Sequence, residues 1–147
     1  MNFELSEEQK MIQQNVERFV QDNYDLPKRV ELSSQDPGYS KDYWNSMAEL
    51  GWLGLPFNEE DGGFGGNQID TLVIMEQFGK GLVLEPFLAN VVLGGGAIQM
   101  GGSEELKNEI LSSLIEGSKQ LTLAYAEQQS RFDLEDVATS ARKEGEK

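Results

Sequence analysis

The chain contains no cysteine and no histidine. The first absence excludes disulfides, thiolate metal sites and a cysteine nucleophile. The second excludes a Ser-His-Asp triad, His-ligated zinc and imidazole acid–base catalysis. Chemistry must come from carboxylates, hydroxyls or a bound cofactor. Basic residues are also scarce, 12 against 26 acidic, for a net charge of −14. Such a surface repels nucleic acid and anionic lipid, so neither is an expected partner. No apolar run approaches the ~18 residues of a membrane span. The acidic opening Asn2-Phe3-Glu4-Leu5 lacks the basic start and apolar stretch of a signal peptide. With no cysteine, the expected location is cytoplasmic.

What is present suffices for one domain. The chain has 147 residues, and 38% of them are apolar. The 16 glycines raise that share to about 49%, the range of ordinary globular proteins. The charge is uneven. Residues 1–117 hold 7 basic and 20 acidic residues, while 118–147 hold 5 and 6.

Helical periodicity dominates the first part. Ser6 and Gln9 form a capping box ahead of Ile12, Val16, Phe19 and Val20, with Phe3 or Leu5 as a staple. Residues 24–39 read as irregular, punctuated by Pro27 and Asp36-Pro37-Gly38. Ser40 caps a second helix carrying Tyr43, Trp44, Met47 and Leu50, stopped by Gly51. Trp52–Pro56 form an apolar link to a glycine-rich loop, Asn58–Asn67. A third helix holds Leu72, Val73, Met75 and Phe78 and ends at Gly79-Lys80-Gly81. Pro86 suits the first turn of a fourth, with Leu88, Val91 and Val92 on its apolar face. Ser103 caps a fifth, with Leu106, Ile110, Leu111, Leu114 and Ile115 in one stripe, closed by Gly117. That stripe is expected to pack on the first helix.

The period then changes. Gln120–Ala126 alternates as a strand, and Val137–Ala141 is a weaker second candidate. Lys143-Glu144-Gly145-Glu146 resembles a hairpin turn with no returning strand. The expected fold class is therefore mainly α. Residues 1–117 form a five-helix domain, and 118–147 form the incomplete start of a β-domain.

Several features invite a binding role and fail on context. The Gly62-Gly63-Phe64-Gly65-Gly66 run follows no strand and lacks the third glycine of a dinucleotide fingerprint. It reads as a turn. Glu59-Glu60-Asp61 lacks EF-hand spacing and reads as a solvated loop, so no metal site is expected. Tyr43 and Trp44 read as core. Gly94-Gly95-Gly96 reads as close helix packing or a bend. Tyr125–Asp133 follows the strand and carries hydroxyls, an arginine and backbone donors. It is either an ordinary polar loop or a holder of a cofactor's ring edge or pyrophosphate.

The motifs in order resemble the acyl-CoA dehydrogenase family. They are Phe3-Glu4-Leu5-Ser6-Glu7-Glu8-Gln9, Leu50-Gly51-Trp52-Leu53-Gly54-Leu55-Pro56 and Glu60-Asp61-Gly62-Gly63-Phe64-Gly65-Gly66. Gly102-Ser103-Glu104-Glu105-Leu106-Lys107 and Val137-Ala138-Thr139-Ser140-Ala141 continue the series. Glu85-Pro86-Phe87-Leu88 and Arg131–Val137 are most similar to the small subunit of a pimeloyl-CoA dehydrogenase. The resemblance implies a helical N-terminal domain, a middle β-domain and C-terminal helices around FAD. A carboxylate removes the α-proton of an acyl-CoA and hydride passes to flavin N5. In most members that base lies in the C-terminal domain, so no residue here is assigned as catalytic. Tyr125, Ala126 and Glu127 match the flavin-touching segment. Ala126 stands in place of the usual Thr, Gln128 of Pro, and Phe132 of the Ser that reaches the pyrophosphate. Ser130 is the hydroxyl nearest to replace it. Leu88, Val91 and Val92 fall on the helix lining the acyl tunnel.

The resemblance leaves two readings open. One is a piece of a FAD-dependent acyl-CoA dehydrogenase, contributing scaffold and part of the acyl and flavin pocket. The other is a non-catalytic partner subunit of a heteromeric one. Homo- or hetero-oligomers and electron-transfer flavoprotein, or a similar acceptor, are the implied partners.

Overall fold

The computed structural model describes residues 4–142, 144 and 145, and the regular secondary structure within them is helical and ends at Ile115. Phe3, Lys143 and Glu146 lie outside, and with them one of the two staple candidates and two of the four residues of the expected hairpin turn. Six α-helices are formed: α1 (Glu7–Asn23), α2 (Leu26–Ser33), α3 (Lys41–Glu49), α4 (Gln68–Gly81), α5 (Gly96–Gly101) and α6 (Glu104–Ile115). A 3-10 turn covers Glu59–Asp61, and a π-helix, Leu88–Gly95, runs directly into α5.

The helical domain matches the sequence expectation, with two corrections to its elements. Residues 24–39 are not irregular throughout, because Asp25 caps α2 through a 2.7 Å bond from the Lys28 amide. Pro27 sits in the first turn, where a missing N–H costs nothing. The helix after Pro86 begins as a π-helix rather than an α-helix. Other signals are realised as read. Ser6 and Gln9 close a reciprocal capping box at 3.1 and 3.0 Å. Gly51 (φ +78°) and Gly117 (φ +77°) take the left-handed conformation that ends α3 and α6.

The core begins where α1 lies along α4. Val16 is fully buried and Val20 nearly so. A Cβ on Gly81 would fall 2.2 Å from Val20 Cγ1, so the end of α4 must be glycine for α1 to seat. A chain of rings continues inward from Phe19 to Trp52 (5.2 Å), Phe78 (5.9 Å) and Phe87 (5.3 Å). The first and last of these pairs meet edge to face, a geometry that adds about 0.5–1.5 kcal/mol per pair beyond area burial. Trp44 donates its indole N–H to the Gly117 carbonyl at 2.9 Å, tying α3 to the end of α6.

Helix α6 does bury its stripe, but not on α1. Leu111 and Leu114 are fully buried, while Leu106 is exposed. Its neighbours are the π-helix, α5 and the 3-10 turn. The reason is visible at Gly95, where a Cβ would meet the Phe57 ring at 2.5 Å and Leu114 Cδ1 at 3.1 Å. The glycine run opens a trough on the π-helix, and α6 fills it.

After Gly117 no strand forms among the described residues, so neither strand candidate, 120–126 nor 137–141, is realised. Thr122, Ala124 and Ala126 make no hydrogen bond there. A segment becomes a strand only when a neighbour supplies those partners. No helix of the described residues is long and apolar enough to cross a membrane.

One buried carboxylate fastens the framework. Glu85 accepts a hydrogen bond from the Tyr24 hydroxyl and another, at 3.1 Å, from the backbone N–H of Ser40. Burial pushes its pKa above the usual carboxylate value, and backbone N–H groups including that of Ser40 partly offset the shift.

Two measurements check this packing. Leu111→Ala is expected to cost ~2–5 kcal/mol in a denaturant melt, the range for a fully buried leucine. A change below ~0.5 kcal/mol would contradict its place in the core. Glu85 binds its proton more tightly folded than unfolded. Its contribution is therefore complete below pH 4.5 and declines as pH rises through the raised pKa. Stability curves of wild type and Glu85→Gln should diverge over that rise, with wild type losing ground. Parallel curves would contradict the linkage.

Candidate functional site

Two regions carry candidate site residues: a cavity on the π-helix and the loop at 125–139. The cavity, about 420 Å³, opens between the Pro56–Phe57 link, the N-terminal turn of α4, and the helix running from the π-helix into α5. Val91 and Val92 form its apolar wall. Val91 is buried and Val92 half-buried. Gly96 completes that wall, and a Cβ there would meet nothing within 4 Å. Gln68, Thr71 and Gln99 bring hydrogen-bonding groups to the same space, and no charged side chain lines it. The volume suits a small apolar chain with few polar contacts.

Leu88, the third expected pocket residue, is not brought together with these. It is half-exposed in a separate groove of about 320 Å³ with Arg29, Met75, Leu82 and Phe87. The π-helix accounts for the separation. Its wider turn breaks the helical spacing that would align positions 88, 91 and 92.

The glycine-rich loop next to the cavity is a folded turn and not a phosphate cradle. Gly65 and Gly66 donate to the Phe57 and Leu55 carbonyls, both at 2.8 Å. A Cβ on Gly63 would lie 2.2 Å from the Phe57 carbonyl oxygen. The loop's donors are thus spent on holding the apolar link in place. Glu59, Glu60 and Asp61 form the 3-10 turn beside α6. Among the described residues no three acidic side chains are grouped to hold a metal ion.

The second region, residues 125–139, is organised by Glu127. Its carboxylate accepts from Gln129 Nε2 (2.6 Å) and from the backbone N–H groups of Ala138 (2.7 Å) and Thr139 (3.1 Å). These bonds hold its pKa down at about 2, the Gln129 side chain contributing most. Ser130 is buried, and its hydroxyl is used twice on Glu127. It accepts from the Glu127 N–H at 3.2 Å and donates to the Glu127 carbonyl at 3.0 Å. Tyr125 and Ala126 are exposed. The Ala126 backbone N–H has no partner among the described residues.

That donor set fits a flavin unevenly. The backbone N–H of Ala126 beside the exposed Tyr125 suits the polar edge of a ring. The Ser130 hydroxyl is already committed, and an ionised Glu127 repels a pyrophosphate. Sequence reasoning missed Gln68, Thr71 and Gln99, which are scattered through the sequence and converge only in the fold. It also missed Asn90, which lies on no polar pattern.

The loop should respond to acid in a definite direction. A depressed pKa means the Glu127 contribution is complete above about pH 4.5 and is lost as pH falls through about 2. Amide exchange at Ala138 and Thr139, corrected for intrinsic rates, should accelerate over that window. Unchanged protection at pH 2 would contradict the arrangement.

Comparisons with known proteins bear on both regions. The family profile described as "Acyl-CoA dehydrogenase, N-terminal domain" matches residues 6–118. A probable acyl-CoA dehydrogenase, YngJ of Bacillus subtilis, is 31% identical over 148 residues, covering 99% of this chain and 38% of that protein. A crystal structure titled as a FAD-dependent dehydrogenase superposes with a TM-score of 0.74 at 30% identity, covering 99% of this chain and 37% of that one. The ChsE4–ChsE5 complex of Mycobacterium tuberculosis gives a TM-score of 0.77 at 25% identity, over 83% and 34% of the two chains. The chain thus spans little more than a third of the length of these relatives.

Proposed function

Because the chain belongs to the acyl-CoA dehydrogenase family through its N-terminal domain, we propose that it forms the helical part of a FAD-dependent α,β-dehydrogenation of an acyl-CoA. The cavity walled by Val91 and Val92 carries this reading. It receives the acyl chain, with Leu88 on the outer flank of the same element. Tyr125, Ala126 and Glu127 offer backbone to the ring edge of the flavin, and Ser130 holds the Glu127 backbone in the shape that does so. When bound, the flavin supplies the hydride acceptor. The base that removes the α-proton comes from outside these 147 residues. Glu85, the one buried carboxylate among the described residues, is engaged by Tyr24 and Ser40 instead. Electron-transfer flavoprotein or a similar acceptor would be the redox partner in this scheme, which is placed in the cytoplasm.

A second reading is a non-catalytic subunit paired with a larger one, like the small subunit of a pimeloyl-CoA dehydrogenase. The apolar surface after the helical domain favours it. Tyr125, Phe132, Leu134 and Val137 are all more than half exposed, and Phe132 completely so. Residues of this kind in one segment call for cover by further polypeptide.

Both readings predict that the isolated chain does not hold FAD stoichiometrically and reduces no dye with acyl-CoA, since base and most pocket walls are elsewhere. The check is a visible spectrum of the purified chain, a FAD fluorescence titration and a dye assay. A yellow protein, or dye reduction, would overturn both. Binding of a saturated acyl-CoA, weakened by Val92→Asp, would support the placement of the acyl chain. Binding unaffected by that change would contradict it.

A further inference from the structure

The π-helix has two working faces. One, Val91, Val92 and Gly96, walls the cavity. The other receives the chain beyond Gly117. Asn90, with no solvent exposure, accepts a hydrogen bond from the Leu121 backbone N–H at 2.5 Å. One turn on, Gly94 makes room for the same residue, since a Cβ there would lie 2.7 Å from Leu121 Cβ. The carboxamide's other end, Nδ2, is buried and has no partner among the described residues. An orphaned buried donor costs about 1–3 kcal/mol, so packing alone is a poor reason for asparagine at this position. A leucine would fill the space without that orphan, giving up only the bond from the Leu121 N–H. Nor does the helix itself need the side chain, because the Asn90 backbone N–H already bonds the Pro86 carbonyl at 2.9 Å.

We propose that Asn90 is a positioning residue: with Gly94 it clasps Leu121 and so sets where the 121–130 segment lies against the wall of the cavity. The purpose of that placement rests on the reading above, in which 125–127 face the flavin and Val91 and Val92 face the acyl chain. The clasp itself is independent of any ligand. Leu121 is four residues before Tyr125, and Thr122, Ala124 and Ala126 between and beyond make no hydrogen bond among the described residues. Apart from the Leu121 side chain in the core, the Asn90 bond is the backbone anchor nearest the segment on its N-terminal side.

The test separates local from global effects. Asn90→Leu removes the buried orphan and gives up the Leu121 bond, two opposed effects, so the thermal midpoint of the helical domain should change little. The Leu121 amide should nevertheless exchange at least tenfold faster, and NMR signals of 123–130 should shift and narrow. Asn90→Asp keeps an acceptor at the same place and should restore Leu121 protection relative to the leucine variant. Gly94→Ala, which leaves Asn90 intact and pushes on Leu121, should reproduce the local loosening. A packing role predicts the opposite pattern for Asn90→Leu: either nothing changes, or the midpoint and all amides fall together. Either result would overturn the proposal. If Asn90→Leu lowers the midpoint too far to interpret, Gly94→Ala decides it alone, since unchanged Leu121 protection there removes the clasp. None of these readouts uses an acyl-CoA or FAD. Failure to bind acyl-CoA would therefore sink the functional reading and leave the clasp standing, and a protected Leu121 in the variants would do the reverse.

Discussion

Three contacts between α1 and the segment from α4 to Glu85 share one sequence offset of 61 residues. They are Gln9 with Asp70, Val20 with Gly81, and Tyr24 with Glu85. A constant offset means the two helices run parallel and in register. Parallel neighbours set like ends of their dipoles side by side, which is mildly repulsive. Polar clasps at both ends oppose it. At the positive end, Asp70 accepts from Gln9 Nε2 at 2.9 Å and from the Asn67 backbone N–H at 2.7 Å, placing one anion near both N-termini. At the other end, Glu85 joins Tyr24 to the capping residue of α3. Between the clasps the contact is dry, with Val16 and Ile74 fully buried.

The cavity inherits its place from this register. Glu85 is followed at once by Pro86 and the π-helix, so fixing the carboxylate fixes where Val91 and Val92 begin. The glycines then decide what approaches each side. Gly95 admits Phe57 and Leu114, and Gly94 admits Leu121. Gly96 faces open space, and that space is the cavity. Three consecutive glycines thus serve three neighbours around one stretch of helix. Each costs about 1 kcal/mol of helix propensity relative to alanine. At 94 and 95 tertiary packing offsets that cost directly, whereas at 96 only the space for a ligand stands against it.

Local signals were legible in the sequence, and contacts across it were not. Ser6, Ser40 and Ser103 are short-range caps and appear as read, each accepting from the amide three residues on. The apolar stripe of α6 was readable in part, because period places Leu111 and Leu114 on the buried face, while Leu106 at the first turn stays exposed. Which neighbour covers the buried face was not, since that depends on glycines at 94 and 95 meeting Phe57. Helix α2 was hidden because Pro27 signals a turn and a first helical turn equally well. At the end of α4, Leu82 rather than a glycine takes the left-handed position (φ +52°). Its carbonyl accepts from Arg29 Nε at 2.9 Å, a bond that spans 53 residues and leaves no local trace. Asn90 is the extreme case. A lone asparagine in an apolar helix has no pattern, and only the fold shows that it meets Leu121.

Charge separates the two halves of the proposed flavin surface. The ring edge of a flavin is neutral and needs backbone donors, and that of Ala126 is without a partner among the described residues. The pyrophosphate is anionic and needs cations or a cluster of N–H groups. Around 125–130 the fixed charge is instead the carboxylate of Glu127, kept ionised down to about pH 2 by Gln129, Thr139 and Ala138. Arg131 is exposed, sits at φ +51° and makes no ion pair among the described residues, while Arg142 is paired with Glu144 at 3.0 Å. A single solvated guanidinium beside an ionised carboxylate is a weak dianion site, because screening reduces its attraction while the carboxylate cancels it at range. Under the proposed function, this segment therefore contacts the ring, and the phosphates are held by groups outside it. The same exposed surface presents Phe132, Leu134 and Val137, so the polypeptide that brings those groups also has apolar area to cover. Ring contact from one segment and phosphate contact from another would make tight flavin binding depend on the two being joined, whether within one chain or between two.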